Sequence, residues 1–279
     1  MFASNNQHPY SPARRHFVRA SAAFAAKVAG IAALASMGLP SSSKADPGNG
    51  GGWGQGSGGG RGHCFLKGTR VLTSRGEAQI EDLGVGDPVK TMRGEDLPIK
   101  WIGRNTFRRS GAFWPKSVIP IRVSRFAIDD HTPHADLYLS PRHALFIDGF
   151  LMEVRDLVNG TSIAPAVAPD METIEYFHIV LNTHEVIWAE GAPAETYNGD
   201  GVDLFTNFFE YKRLYPNDPC SAMPLVAPNL SVSTGRAHLH ALLGLGASYL
   251  GIGASDNAVR DPLQEAYEQF AARAEELAP

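Results

Sequence analysis

The side chains best suited to chemistry fall in three stretches. Arg61-Gly62-His63-Cys64-Phe65 carries one of only two cysteines in the 279 residues. Leu139-Ser140-Pro141-Arg142-His143-Ala144 places a hydroxyl three positions before an imidazole, and Glu175–Gly191 holds His178 and His184 around an apolar run. An ionised thiol attacks carbonyl carbon, and free cysteine is already partly ionised near neutral pH. Its hardest target is a peptide bond, whose resonance makes the carbonyl a poor electrophile. An imidazole donating a hydrogen bond or a proton to the amide nitrogen improves that leaving group. A nearby hydroxyl orients or stabilises the intermediate. Taken singly, each stretch also has a plain structural reading. Ser140-Pro141 is a turn signal, His143 a hydrogen-bonded core histidine, and His178 and His184 flank a half-buried strand.

Other chemistries find less support. Asp129-Asp130-His131-Thr132-Pro133-His134, with Asp136, is rich in metal-ligand types. It lacks the strand context that fixes a coordination geometry and reads as a solvated turn. Cys64 and Cys220 show no CxxC spacing and no quartet with histidine, so neither a zinc site nor another cofactor is expected. The two could pair in an oxidising compartment. That disulfide would cap Cys64, and the Pro/Ser-rich setting of Cys220 argues for the free thiol instead. There is no Gly-x-Ser-x-Gly, no phosphate-cradling loop and no dinucleotide fingerprint. A net charge of −4 and a pI near 6.2 give no footing for nucleic acid.

The elements that must position these residues are short strands. Only 19% of residues are charged, while 29 are glycine and 19 proline, which suits strands joined by turns rather than a helical bundle. Thr69–Thr73, Pro88–Thr91, Ile99–Ile102, Val118–Val123, Leu137–Leu139, Ala144–Ile147, Ile174–Leu181 and Glu185–Ala189 carry the β-type runs. Asp148-Gly149 between Ala144–Ile147 and Phe150–Glu153 is a two-residue hairpin signal. The fold class is therefore all-β, over residues 64–213.

Around this core lie three other segments. Residues 1–45 open with Arg14-Arg15-His16-Phe17-Val18, continue in an alanine-rich apolar run from Ala20 to Leu39, and close with Ser43-Lys44-Ala45. This order resembles a twin-arginine export signal cut after Ala45. Residues 46–63 are a glycine-rich arm that cannot bury enough apolar surface to fold. Residues 214–279 form an extension, in which His238–Leu250 has no clear assignment. A terminal helix over about 261–277 has Asp261 as N-cap and Pro262 at its first position. Leu263, Ala266, Tyr267, Phe270, Ala274 and Leu277 form its apolar stripe, placed to dock on the domain's own core.

From Cys64 the sequence resembles the opening block of the hedgehog/intein (Hint) family. Cys64-Phe65 is followed by Gly68-Thr69-Arg70-Val71-Leu72-Thr73, then by Gly76, Ile80, Leu83, Gly86-Asp87 and Val89. Ser140-Pro141-Arg142-His143 is similar to that family's Thr-x-x-His block, with serine for threonine. Glu175–Gly191 is similar to its closing block, which puts His184 on the late histidine. The resemblance spans roughly Cys64–Tyr197 and implies a horseshoe-like all-β domain with a C-terminal extension. It also implies that Cys64 attacks the His63 carbonyl and exchanges the peptide bond for a thioester, with His143, Ser140 and His184 assisting. Splicing members end in His-Asn, followed by a further nucleophile. Here Gly191 is followed by Ala192-Pro193-Ala194-Glu195-Thr196-Tyr197, so cleavage without full splicing is expected.

Two readings of the function follow. In the first, an exported domain processes itself, its own N-terminal segment being the substrate, and water or another nucleophile resolves the thioester. In the second, the fold is kept as a catalytically silent exported module. A hydrolase acting in trans is a third, weaker option. All place the protein in the periplasm or outside a bacterial cell, by way of the twin-arginine machinery. The mature form is expected to be a monomer without a stable membrane span or nucleic-acid partner.

Overall fold

A computed structural model describes residues 63–167, 171–199, 201–231 and 261–278. The signal-like segment, the glycine arm before His63 and the unassigned stretch His238–Leu250 lie outside the described residues.

The first strands are β1 (Phe65–Leu66), β2 (Arg70–Thr73), β3 (Gly76–Gln79), β4 (Pro88–Lys90) and β5 (Asp96–Pro98). Next come β6 (Trp101–Arg108), β7 (Ile121–Val123), β8 (Leu137–Leu139), β9 (Ala144–Ile147) and β10 (Phe150–Glu153). The remainder are β11 (Ile163–Pro165), β12 (Thr173–Val180), β13 (Val186–Ala189), β14 (Ala192–Glu195) and β15 (Asn229–Leu230). Among the described residues, helix is confined to short turns, Phe208–Leu214 and Pro262–Glu276. The all-β class with a helical C-terminal piece is what the chain adopts.

Two sheets share the strands. One runs β11-β7-β8-β1-β12-β6; the other runs β15-β10-β9-β14-β13-β2-β4-β5, with β3 paired to β2. The chain passes from the first sheet to the second three times among the strands that matter here. It crosses after β1 at Lys67–Thr69, after β8 at Ser140–His143, and after β12 at Leu181–Glu185. Gly68, at φ 90°, supplies the first of these bends in a conformation that a Cβ would strain. Ser140 and His143 lie on the second crossing and His184 on the third, all three buried.

The alternating runs explain the burial. In β1, Phe65 is fully buried, and the apolar positions of β2, β8, β9, β12 and β13 close over it. Leu137–Leu139, Ala144–Ile147 and Phe150–Glu153 form as the sequence indicates, and Asp148 and Gly149 both take positive φ in a tight hairpin. Elsewhere the pattern misleads. The run expected at Ile99–Ile102 becomes an eight-residue strand, Trp101–Arg108, because it pairs along the whole of β12, its polar half included. The run expected from Val118 begins only at Ile121, since Pro115-Lys116-Ser117 folds as a turn that ties Val118 back to Pro115. Asp96–Pro98, outside the runs read from sequence, forms a strand by pairing with β4.

The terminal helix runs Pro262–Glu276 with the Asp261 carboxylate accepting from the Leu263 amide at 3.0 Å. Its buried stripe is narrower than the sequence pattern: Leu263, Ala266 and Phe270 are covered, whereas Tyr267 and Leu277 are exposed. The helix lies on the turn Val154–Leu157, and Asn159 Nδ2 donates to the Phe270 carbonyl. Asp261→Ala should therefore cost about 1 kcal/mol, the usual worth of an N-cap. Urea unfolding of the two chains would show it as a midpoint shift at unchanged slope. Among the described residues no helix is long and apolar enough to cross a membrane.

Candidate active site

Cys64 precedes β1 and lies opposite Ser140, which follows β8. The register Phe65↔Leu139 sets this up, and two contacts complete it. The Ser140 amide donates to the Cys64 carbonyl at 2.8 Å, and the Cys64 amide donates to Ser140 Oγ at 2.8 Å. The nitrogen of the His63–Cys64 peptide bond is therefore held by the serine hydroxyl. The Cys64 thiol is 3% exposed, and burial pushes it far above the ordinary thiol range, so it is protonated at neutral pH. Cys64 and Cys220 are both free.

His143 ends the tight turn that leaves β8; its amide donates to the Ser140 carbonyl at 3.0 Å. Its ring meets Phe65 edge-on at 4.3 Å and stacks on His178 at 5.3 Å. Both ring nitrogens lie near the backbone carbonyls of Cys64 and Glu195 without closing a hydrogen bond to either. Burial, reinforced by the charge on His63 and opposed by Glu195, pushes His143 down to about 4. It is therefore a neutral imidazole, able to take a proton. His178, on β12 opposite Gly103, is likewise fully buried and held well below the usual range, by burial first and then by His143 and His63. Phe205 covers this side: a Cβ on Gly103 would stand 2.7 Å from its ring.

A carboxylate completes the cluster. Glu195, the last residue of β14, is 1% exposed. The pairing of Ala194 with Leu145 carries its Oε1 to the Ala144 amide at 2.8 Å. His63 Nδ1 donates to the same oxygen at 2.5 Å, and His184 Nε2 lies 3.4 Å from Oε2. The Val226 amide donates to His184 Nδ1 at 3.1 Å, which leaves the ring proton on Nε2, facing the carboxylate. Burial would raise Glu195, but His63, His184 and His143 outweigh it and hold the carboxyl far below its usual range. Burial would equally lower His63, and the Glu195 charge and hydrogen bond, helped by Glu153 and opposed by Arg142, raise it instead. The two form a charged pair.

Against known families, residues 63–201 match the model of the Hint domain, about half of the chain. This segment is a Hint domain. Solved structures similar to the chain include a bacterial intein-like domain from Clostridium thermocellum, at 13% identity and a TM-score of 0.35. That match covers 48% of this chain and 98% of the other. The gp41-1 intein is 14% identical with a TM-score of 0.34, covering 49% and 99%. A DnaB intein from Synechocystis sp. PCC 6803 is 10% identical with a TM-score of 0.33, covering 49% and 99%. No curated protein matches the chain.

Within the Hint domain, the residues singled out from sequence come together unevenly. Cys64 and Ser140 meet at the His63–Cys64 bond and His143 packs beside them against Phe65, whereas His184 is linked to His63 only through Glu195. His178, to which the family resemblance assigns no role, stacks on His143. Glu195 was missed outright; its one signal is a lone charge in the small-residue run Ala192-Pro193-Ala194-Glu195 after a Glu190-Gly191 turn. The Asp129–Asp136 loop spends its carboxylates elsewhere, Asp129 on the His131 amide and Asp136 on the Arg125 amide, while His134 pairs with Glu77 at 2.6 Å. Among the described residues no three His, Cys, Asp or Glu side chains are grouped to hold a metal.

Proposed function

We propose that this Hint domain cuts its own chain between His63 and Cys64. The Cys64 sulfur bonds to the carbonyl carbon of His63, and the bond from that carbon to the Cys64 nitrogen breaks. The thiol proton passes by way of His143 to the nitrogen that leaves, so the product is a thioester with a free amine on Cys64. Water or another nucleophile then takes the acyl group and restores the thiol. The observation that carries this reading is the seizure of the Cys64 amide by Ser140 Oγ, with the neutral imidazole of His143 buried beside the same residue. Ala192–Glu195 is a paired, buried strand without a His-Asn ending, so cleavage without splicing is the outcome proposed.

The chain before the bond fits an exported protein. Residues 1–45 direct it to the twin-arginine machinery, which places the monomeric product in the periplasm or outside the cell. That machinery carries folded substrates, so cleavage before export would detach the signal. The buried, protonated thiol is a poor nucleophile, which would hold back attack before export. The same observation also favours the second reading, a silent exported module whose thiol never ionises.

The amino terminus of the exported protein separates the two. Cys64 at that terminus supports self-processing, and an intact protein beginning at Asp46 supports the silent module.

A further inference from the structure

Glu195 spends a buried carboxylate on a residue that lies outside the domain's own product. Cleavage at Cys64, the reading on which this inference rests, would release His63 with the upstream segment. Yet His63 Nδ1 makes the shortest contact to Glu195, at 2.5 Å. A buried carboxylate is costly unless it is paired. If its role were only to fasten β14 to β9, the Ala144 amide and His184 would serve without a charged partner on the far side of the bond. The remaining contacts fix the carboxylate instead: Ala144 holds Oε1, and His184, itself held by the Val226 amide, faces Oε2. The His63 side chain is 19% exposed, so it enters this site from the surface.

We infer that Glu195 is the receptor for the side chain preceding the scissile bond, making the domain specific for histidine at that position. Seating the imidazole on a fixed carboxylate sets the orientation of the His63 main chain, and with it the carbonyl that Cys64 must reach. Glu195 acts through His63 and is a positioning residue; it takes no proton and forms no bond in the reaction.

The test follows release of residues 1–63 from the full chain by mass spectrometry. His63, His63→Asn and His63→Ala are each combined with Glu195 and with Glu195→Gln. With Glu195 present, His63→Ala should slow release about tenfold or more, the usual worth of a charged hydrogen bond. His63→Asn, which keeps a donor, should fall between the two. With Glu195→Gln the rates for histidine and alanine should converge to within about twofold. A purely structural role for Glu195 would slow all three chains alike and keep their ratio, and that result overturns the assignment. Should Glu195→Gln fail to fold, the His63 variants still decide, because equal rates for histidine and alanine contradict the receptor. No release from any chain, the native one included, overturns the cleavage reading itself and is told apart from equal, measurable rates.

Discussion

Replacing His143 by glutamine is expected to slow cleavage of the His63–Cys64 bond by about 10²- to 10⁴-fold, the range for losing a positioned acid–base group. Neither ring nitrogen of His143 closes a hydrogen bond in the folded protein, so the substitution removes no structural contact of that kind. Glutamine is close in size and keeps a side-chain donor beside the backbone of Cys64 and Glu195. What it cannot do is take the thiol proton. The effect should therefore appear in the rate of fragment release at neutral pH, with circular dichroism and unfolding midpoint close to native. An equal rate in the two chains would assign His143 to the core alone.

The second large effect is loss of stability in acid. His143 falls to about 4 in the folded protein, against an ordinary value of 6.5. Between these values the unfolded chain binds a proton that the folded chain refuses, so stability rises with pH across the window and drops as pH falls from 6.5 towards 4. From His143 alone, moving from pH 7 to pH 5 should cost about 2 kcal/mol. His178, also depressed, adds in the same direction. His63 acts on the other side of 6.5: its pKa is raised, so its contribution is complete below 6.5 and is lost as pH rises through its folded value. The depressed carboxyl of Glu195 keeps its contribution above its ordinary value of 4.5 and loses it as pH falls below that. Urea unfolding at pH 5, 6 and 7 on the Cys64→Ala chain, which cannot cut itself, measures the slope. The His143→Gln variant should flatten it; an unchanged slope would mean that the imidazole is not held neutral.

How much of this was legible in the sequence depends on whether neighbours or distant strands decide a residue's place. Leu137–Leu139, Ala144–Ile147 and the Asp148-Gly149 hairpin are local, set by β-branched and aromatic residues and one turn, and the sequence describes them correctly. The Cys64 and Ser140–His143 stretches were legible because their spacing resembles a known family. Their meeting comes from the Phe65↔Leu139 pairing, which no local pattern encodes. Glu195 was hidden for a different reason. Its strand is built of alanine and proline, weak β-formers, and exists because β9 and β13 pair on either side of it. The helix stripe was overestimated because Tyr267 and Leu277 have helical spacing but no facing element.

In the proposed function, Cys64 cuts the bond on its own amino side. The most direct measurement is the intact mass of the chain expressed from Asp46 onward, followed over time with thiol present. Self-processing predicts that the full mass gives way to that of residues 64–279, with residues 46–63 released, and that Cys64→Ala abolishes the change. Persistence of the full mass, identical in the native chain and in Cys64→Ala, would contradict it.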